Sequence, residues 1–413
     1  MNEEIKNSTD NEESTISEQL APEENADTDK KEKKPKKNLF RQTWDFVKTS
    51  PLYFKILGCL TVLCAILHLI SSFVPSFADF LIKYPNAGVR WVLAKITDPI
   101  PFSLSEMIVV MLPAILIALI IYGWHLAVTD DNVKYKKYLA MLMSILFCLY
   151  SLFVLTLGPG YKGHTLAEKT GLEQKAVSAQ ELYDTAVWLN EKIDECLDDV
   201  SFDMDGESIM PYSLDTMSEK INDAYASLSD KYSFVSKLRS NMKFIVFSEP
   251  MTYTHISGIY TYYTGEANLN TNFPDYQLVF TTAHEFAHQR GTAPENEANF
   301  VAFLACMESD DPFIRYAAYT NMLEYCMNAL YSADHDLYSE LYHKLDKRLI
   351  AEFNAYGQFY SKYTQSNNIA AKVSGTVNDA YLKSQGQSAG SKSYGLVVDL
   401  AVAYYHSIRE INN

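Results

Sequence analysis

Three long apolar runs constrain what this chain can fold into more than any other feature. Ile56–Val74 reads "ILGCLTVLCAILHLISSFV", Met107–Val128 reads "MIVVMLPAILIALIIYGWHLAV", and Tyr138–Tyr161 reads "YLAMLMSILFCLYSLFVLTLGPGY". None contains Lys, Arg, Asp or Glu. A helix rises about 1.5 Å per residue, so about 20 apolar residues cover the hydrocarbon core of a bilayer. Soluble core helices rarely run this long without a charge. Three transmembrane helices are therefore expected, at about 56–74, 107–128 and 138–159. They define a membrane domain over residues 51–161, with the lipid bilayer as a partner.

Basic residues set the expected orientation. The run "KKEKKPKK" (Lys30–Lys37), Arg41 and Lys48 precede the first span, and Lys134, Lys136 and Lys137 lie between the second and third. Short loops rich in Lys and Arg stay in the cytoplasm. Residues 1–50 then form a cytoplasmic tail, disordered because polar residues bury too little apolar surface to offset chain entropy, with a basic end beside the membrane. The 75–106 loop, which mixes apolar residues with Lys83, Arg90 and Lys95, falls outside and suits a position along the membrane surface. Residues 162–413 follow on the same, extracytoplasmic side. The net charge of −16 argues against nucleic acid as a partner. The six cysteines are too scattered for a disulfide framework.

The region after residue 162 reads as mainly α with a small β-sheet, an α+β arrangement. Leu182, Ala186, Leu189 and Ile193 recur at helical spacing after a Ser178 cap. "KFIVFSE" (Lys243–Glu249) is short and rich in β-branched and aromatic residues, which predicts a strand. "GIYTYYTGEANLN" (Gly258–Asn270) predicts a second extended segment turning at Gly265. Long helices are expected from about Tyr276 to Tyr360, and a last one follows the loop "SQGQSAGSKSYG".

Chemistry concentrates in "HEFAHQRGTAPENEANF". His284 and His288 are four apart, so on a helix both imidazoles face one metal ion, and Glu285 stands beside it as a general base. Gly291 suits a left-handed helix stop, Pro294 the first turn of a new helix, and Thr292 its cap. Two glutamates on that helix are candidate third ligands. Glu295 shares a small, polar face with Ala298, Asn299 and Ala302, whereas Glu297 shares its face with Phe300, Val301 and Leu304. The facing argument puts Glu295 ahead and leaves Glu297 open. Asn299 is placed to hydrogen-bond a ligand histidine. Glu266, Asn268 and Asn270 are candidates to line a substrate cleft, because an edge strand can pair with an extended peptide. Tyr394 or His255 is a candidate donor to the oxyanion of a tetrahedral intermediate.

"HEFAH" followed by a Glu-x-x-x-Asn helix resembles the gluzincin zinc metallopeptidases. The resemblance implies His284, His288 and Glu295 as ligands of one Zn2+ ion, Glu285 as general base and Asn299 beside the ligands. The gap to the third ligand is shorter than in most gluzincins, and Pro294 stands where metzincins place a third histidine. A broader resemblance, carried by "DPIPFSLSE", "GIYTYYTGEANLN", "TTAHEFAHQRGTAPENEANFVAF" and "NDAYLKSQGQSAGSKSYGLVVDL", is to an uncharacterised bacterial membrane-protein family. It implies three membrane helices followed by a zincin-like domain. The expected function is a membrane-anchored zinc metallopeptidase of the bacterial cell membrane, hydrolysing a peptide or protein substrate with water activated by zinc and Glu285. The alternative is a non-catalytic, zincin-like sensor or scaffold that binds peptide or cell-envelope material.

Overall fold

The apolar runs lie on three long helices of the computed structural model, which describes residues 39–129, 131–364, 368–387 and 396–412. The tail expected over residues 1–38 and the candidate Tyr394 lie outside the described residues. Leu39–Thr49, included above in the disordered tail, is instead helix α1. Phe40, Trp44 and Val47 recur along it at a spacing of four and three residues, which puts an apolar stripe on one side of the helix.

The membrane-length helices are α2 (Leu52–Phe73), α5 (Leu104–Val128) and α6 (Asn132–Thr156), each starting several residues before its apolar run. They are long and apolar enough to cross a membrane. Most of α5 faces outward; Ser105 and Leu126 are its buried residues. So broad an apolar exposure suits lipid and not water. Inside the group, Thr61 Oγ1 donates to the Phe147 carbonyl at 3.2 Å and pairs with Ser151 at 3.1 Å, joining α2 to α6. Between α2 and α5 the chain forms α3 (Pro75–Lys83) and α4 (Pro85–Thr97), each opened by a proline that needs no N–H donor there.

Helix accounts for 72% of the described residues, with small sheets. After a single 3-10 turn (Gly158–Tyr161) come α7 (Leu166–Thr170) and α8 (Ala179–Leu197). A two-residue hairpin, β1 (Ser201–Phe202) with β2 (Ser208–Ile209), leads into α9 (Leu214–Lys231). The second sheet has the order β3-β5-β4. Here β3 is Lys243–Phe244, β4 is Gly258–Thr261 and β5 is Glu266–Leu269, so β4 is an edge. β4 and β5 form the expected hairpin, with Gly265 at φ +75°, and β3 joins β5 in parallel. The strand expected over Lys243–Glu249 is shorter, because α10 (Ser248–Thr252) begins where Ser248 bonds back to the Ile245 carbonyl.

The helices α11 (Asp275–Gln289), α12 (Glu295–Met307) and α13 (Pro312–Ala333) pack together, and α13 lies along α8. Every residue from Leu278 to Gln289 is buried, so α11 is a central helix. The remaining helices are α14 (His335–Tyr342), α15 (Lys347–Ser361), α16 (Ile369–Ser384) and α17 (Val397–Asn412). Glu352 of α15 is 1% exposed and accepts from Tyr316 Oη at 2.6 Å and Ser208 N at 3.0 Å. Burial pushes its carboxyl above the usual range, and these two bonds only partly oppose the shift. The raised folded value means a stability contribution that is full below the unfolded pKa and lost as pH rises through the folded one. Glu352→Gln should therefore lose less melting temperature than the native chain as pH rises above the ordinary carboxyl range.

Residues 50–413 form one unit, and the domain boundary expected at 161/162 is bridged by hydrogen bonds. Glu266 accepts from the Leu104 and Ser105 N–H groups at the start of α5, both at 3.0 Å. Asn268 Oδ1 accepts from the Ser103 hydroxyl at 2.7 Å, and Lys243 Nζ donates to the carbonyls of Thr97 and Ile100 at 2.9 and 2.6 Å. The sheet is thus seated on the turn that feeds the second membrane-length helix.

Candidate metal centre

Two helix ends build the centre. α11 stops in a Schellman cap, in which Gly291 N donates to the His288 carbonyl (2.9 Å) and Thr292 N to the Ala287 carbonyl (3.1 Å). Gly291 takes φ +104°, as such a stop requires. The turn also fixes a histidine of the cluster. His288 Nδ1 lies 2.8 Å from the Thr292 carbonyl and so carries the proton, which leaves the Nε2 lone pair facing inward. Thr292 therefore works through its carbonyl and does not cap the next helix; Pro294 holds that position, and Glu295 is the first residue of α12.

His284 Nε2 and His288 Nε2 are 3.0 Å apart, and Glu295 Oε2 is 3.2 and 3.3 Å from them. All three residues are buried, and among the described residues theirs is the cluster whose ligand atoms lie within 4.8 Å of one another. Burial alone would raise the Glu295 carboxyl, but His288 and His284 outweigh it and hold the group well below the usual carboxylate range. Burial would likewise lower His288, but Glu295 reverses the direction. Two imidazole nitrogens and a carboxylate oxygen, converging in a buried site, form a donor set that suits Zn2+.

Glu285 lies beside them, 4% exposed. It accepts a bond from the Tyr260 N–H of β4, while its Oε2 has no hydrogen-bond partner among the described residues. Burial raises its pKa, against the opposing pull of the two histidines. β4 approaches it closely because residue 258 is glycine. A Cβ there would sit 2.6 Å from Glu285 Oε1.

The other expected site residues divide. Glu297 is not at the cluster. It accepts from Leu166 N at 2.9 Å at the start of α7, because on α12 it points to a different side from Glu295. Asn299 Nδ2 donates to Tyr325 Oη at 3.3 Å and not to a ligand histidine. Glu266, Asn268 and Asn270 are at most 1% exposed and spend their side chains on α5 and on nearby carbonyls, so they support the sheet and line no cleft. The sequence pattern put them in the right hairpin, but both faces of β5 are covered, so the face they share is buried. His255 Nε2 is 3.1 Å from the Tyr363 carbonyl, which commits that nitrogen as a donor away from the cluster.

Two tyrosines that no sequence motif marks come near the centre. Tyr325 of α13 and Tyr381 of α16 both lie within electrostatic reach of Glu295. Tyr381 is also 3.2 Å from Tyr161 Oη and packs on Phe153 of α6, which brings the centre close to the end of a membrane-length helix. Among 29 tyrosines no local signal marks these two. They lie 30 and 86 residues after Glu295, on different helices.

Arg90 ties the centre to the segment between the membrane-length helices. It is 1% exposed and donates to the carbonyls of Thr156 (2.7 Å), Ile82 (2.9 Å) and Arg290 (3.3 Å), the last being the C-cap of α11. A Cβ on Gly291 would meet Arg90 Nη2 and Ile82 Cγ2, each at 2.8 Å. Gly291→Ala should therefore cost about 2 kcal/mol or more, read as a lowered melting temperature of the purified chain.

Fold and centre together define a mostly helical chain with three membrane-length helices and a buried two-histidine, one-glutamate cluster. Residues 84–402 match a family described as a protein of unknown function (DUF3810), and the chain belongs to that family. No curated protein and no solved structure matches the chain.

Proposed function

We propose that this protein is a membrane-anchored, zinc-dependent peptidase with its centre outside the cytoplasm. The observation that carries the reading is the convergence of His284, His288 and Glu295 beside a buried carboxylate, Glu285, that keeps one oxygen uncommitted. One Zn2+ ion at the three ligands would supply Lewis-acid activation of a water and polarisation of the scissile carbonyl. Glu285 would serve as the general base, accepting a proton from an attacking water and passing it to the leaving amine, and its raised pKa suits a group that must release the proton again. The Thr292 carbonyl keeps His288 in the tautomer that ligates. Tyr325 and Tyr381, both within electrostatic reach of Glu295, are the candidate hydroxyl donors to a developing oxyanion; burial pushes Tyr381 up to about 12, so it keeps its proton. Edge strand β4 offers its free side to an extended peptide next to Glu285. The basic residues before the first span and between the second and third support a cytoplasmic N-terminus.

The test is metal content and peptide hydrolysis by the purified full chain. One zinc per chain, with cleavage lost on chelation and restored by zinc, supports the proposal; a chain that binds no zinc refutes it. Zinc without any cleavage would favour a sensor or scaffold.

A further inference from the structure

Gln277 lies on the same face of α11 as His284, seven residues earlier, which is two turns and about 10 Å. A cavity of about 400 Å3 sits there. Phe353, Tyr356 and Tyr360 of α15 wall it together with His255, and Glu324 of α13 reaches it beside Gln277. Its rim includes Ser257, the residue before the glycine that packs on Glu285. A peptide laid along β4 with its reacting bond at Glu285 would therefore carry a side chain over this opening.

The chemistry of the cavity is selective. Aromatic walls attract a cation through their ring faces, and a carboxylate in low dielectric attracts it more strongly still. Glu324 has little to hold it otherwise, since the Gln277 Nε2 bond is long at 3.4 Å. Burial and the nearby Glu352 push its carboxyl up to about 7, and no Lys or Arg among the described residues offsets them. An incoming cation would supply the missing counter-charge. The chain's net charge of −16 favours approach of the same class of substrate.

We propose that this cavity holds a Lys or Arg side chain of the peptide substrate, with Glu324 as counter-ion and Tyr356 and Tyr360 as cation–π walls. This deepens the peptidase reading and rests on it for the peptide's path. The test separates the two. Fluorescein-labelled heptapeptides, alanine except for one Arg, Lys, citrulline or norleucine moved through each position, are titrated against the full-length Glu285→Gln chain by fluorescence polarisation. At one position Arg and Lys should bind about tenfold or more tighter than citrulline and norleucine. Glu324→Gln should bring that ratio close to one, and Tyr360→Leu, which leaves the carboxylate in place, should reduce it severalfold. Equal binding of the set, absence of binding, tighter binding of norleucine, or a ratio untouched by Glu324→Gln would each overturn the proposal. If the Glu285→Gln chain shows this preference and the native, zinc-loaded chain cuts none of the peptides, the peptidase reading is refuted and the pocket stands.

Discussion

Glu285→Gln is expected to reduce peptide hydrolysis by about a thousandfold or more while zinc stays at one per chain. A positioned general base contributes roughly 10²–10⁴ in rate. The glutamine keeps the shape of the side chain and its bond from the Tyr260 N–H, but it cannot take a proton. It also removes a buried acid whose ionisation is opposed by burial, so the fold should be no less stable. The paired readout matters, because loss of activity together with loss of zinc would mean that the substitution had disturbed His284 or His288. An unchanged rate would remove Glu285 from the chemistry and take the peptidase mechanism with it. Gly258→Val should give a milder form of the same defect, since its Cβ would push the Glu285 carboxylate aside without changing any ionisable group.

What the sequence displays about this centre is what a single helix can display. His284 and His288 are four apart because one helical turn brings them together, and the stop at Gly291 is written in the same dozen residues. The bend that returns Glu295 to both imidazoles is legible for the same reason, as the chain between the two helices is only a few residues long. The partners of Asn299, by contrast, are not local. Its amide meets Tyr325, 26 residues on, and nothing in the sequence distinguishes that contact from a bond to a histidine. The same limit explains the sheet. "DPIPFSLSE" and "GIYTYYTGEANLN" both carry the family resemblance, but that Glu266 and Asn268 satisfy the start of α5 depends on pairing across more than 160 residues. Alternation along β5 cannot tell a cleft from a buried seat, because both faces of β5 are covered. Arg90 reads as a loop charge near a membrane; only the fold turns it inward onto three carbonyls.

Glu295→Ala is expected to strip zinc from the chain, and Glu297→Ala is expected to leave it bound. The two glutamates are two residues apart on α12, about 200° around the helix, so they cannot serve one ion. Glu295 Oε2 is within 3.3 Å of both imidazole nitrogens. Removing it deletes the anionic ligand and leaves two neutral donors, so the loss of zinc affinity should exceed the roughly 10–100-fold typical of outer-sphere partners. Glu297 accepts from Leu166 N and has its carboxyl pushed up to about 7 by burial. Its loss exposes a helix-start N–H and should cost on the order of 1 kcal/mol in stability, with the metal content unchanged. Both variants should melt lower, and metal analysis tells them apart: Glu295→Ala loses zinc and the stabilisation that zinc binding confers, whereas Glu297→Ala keeps its zinc and loses only the cap. Zinc lost equally from both would mean that α12 tolerates no change at its first turn and would return the third ligand to an open choice. Zinc lost from Glu297→Ala alone would overturn the ligand set.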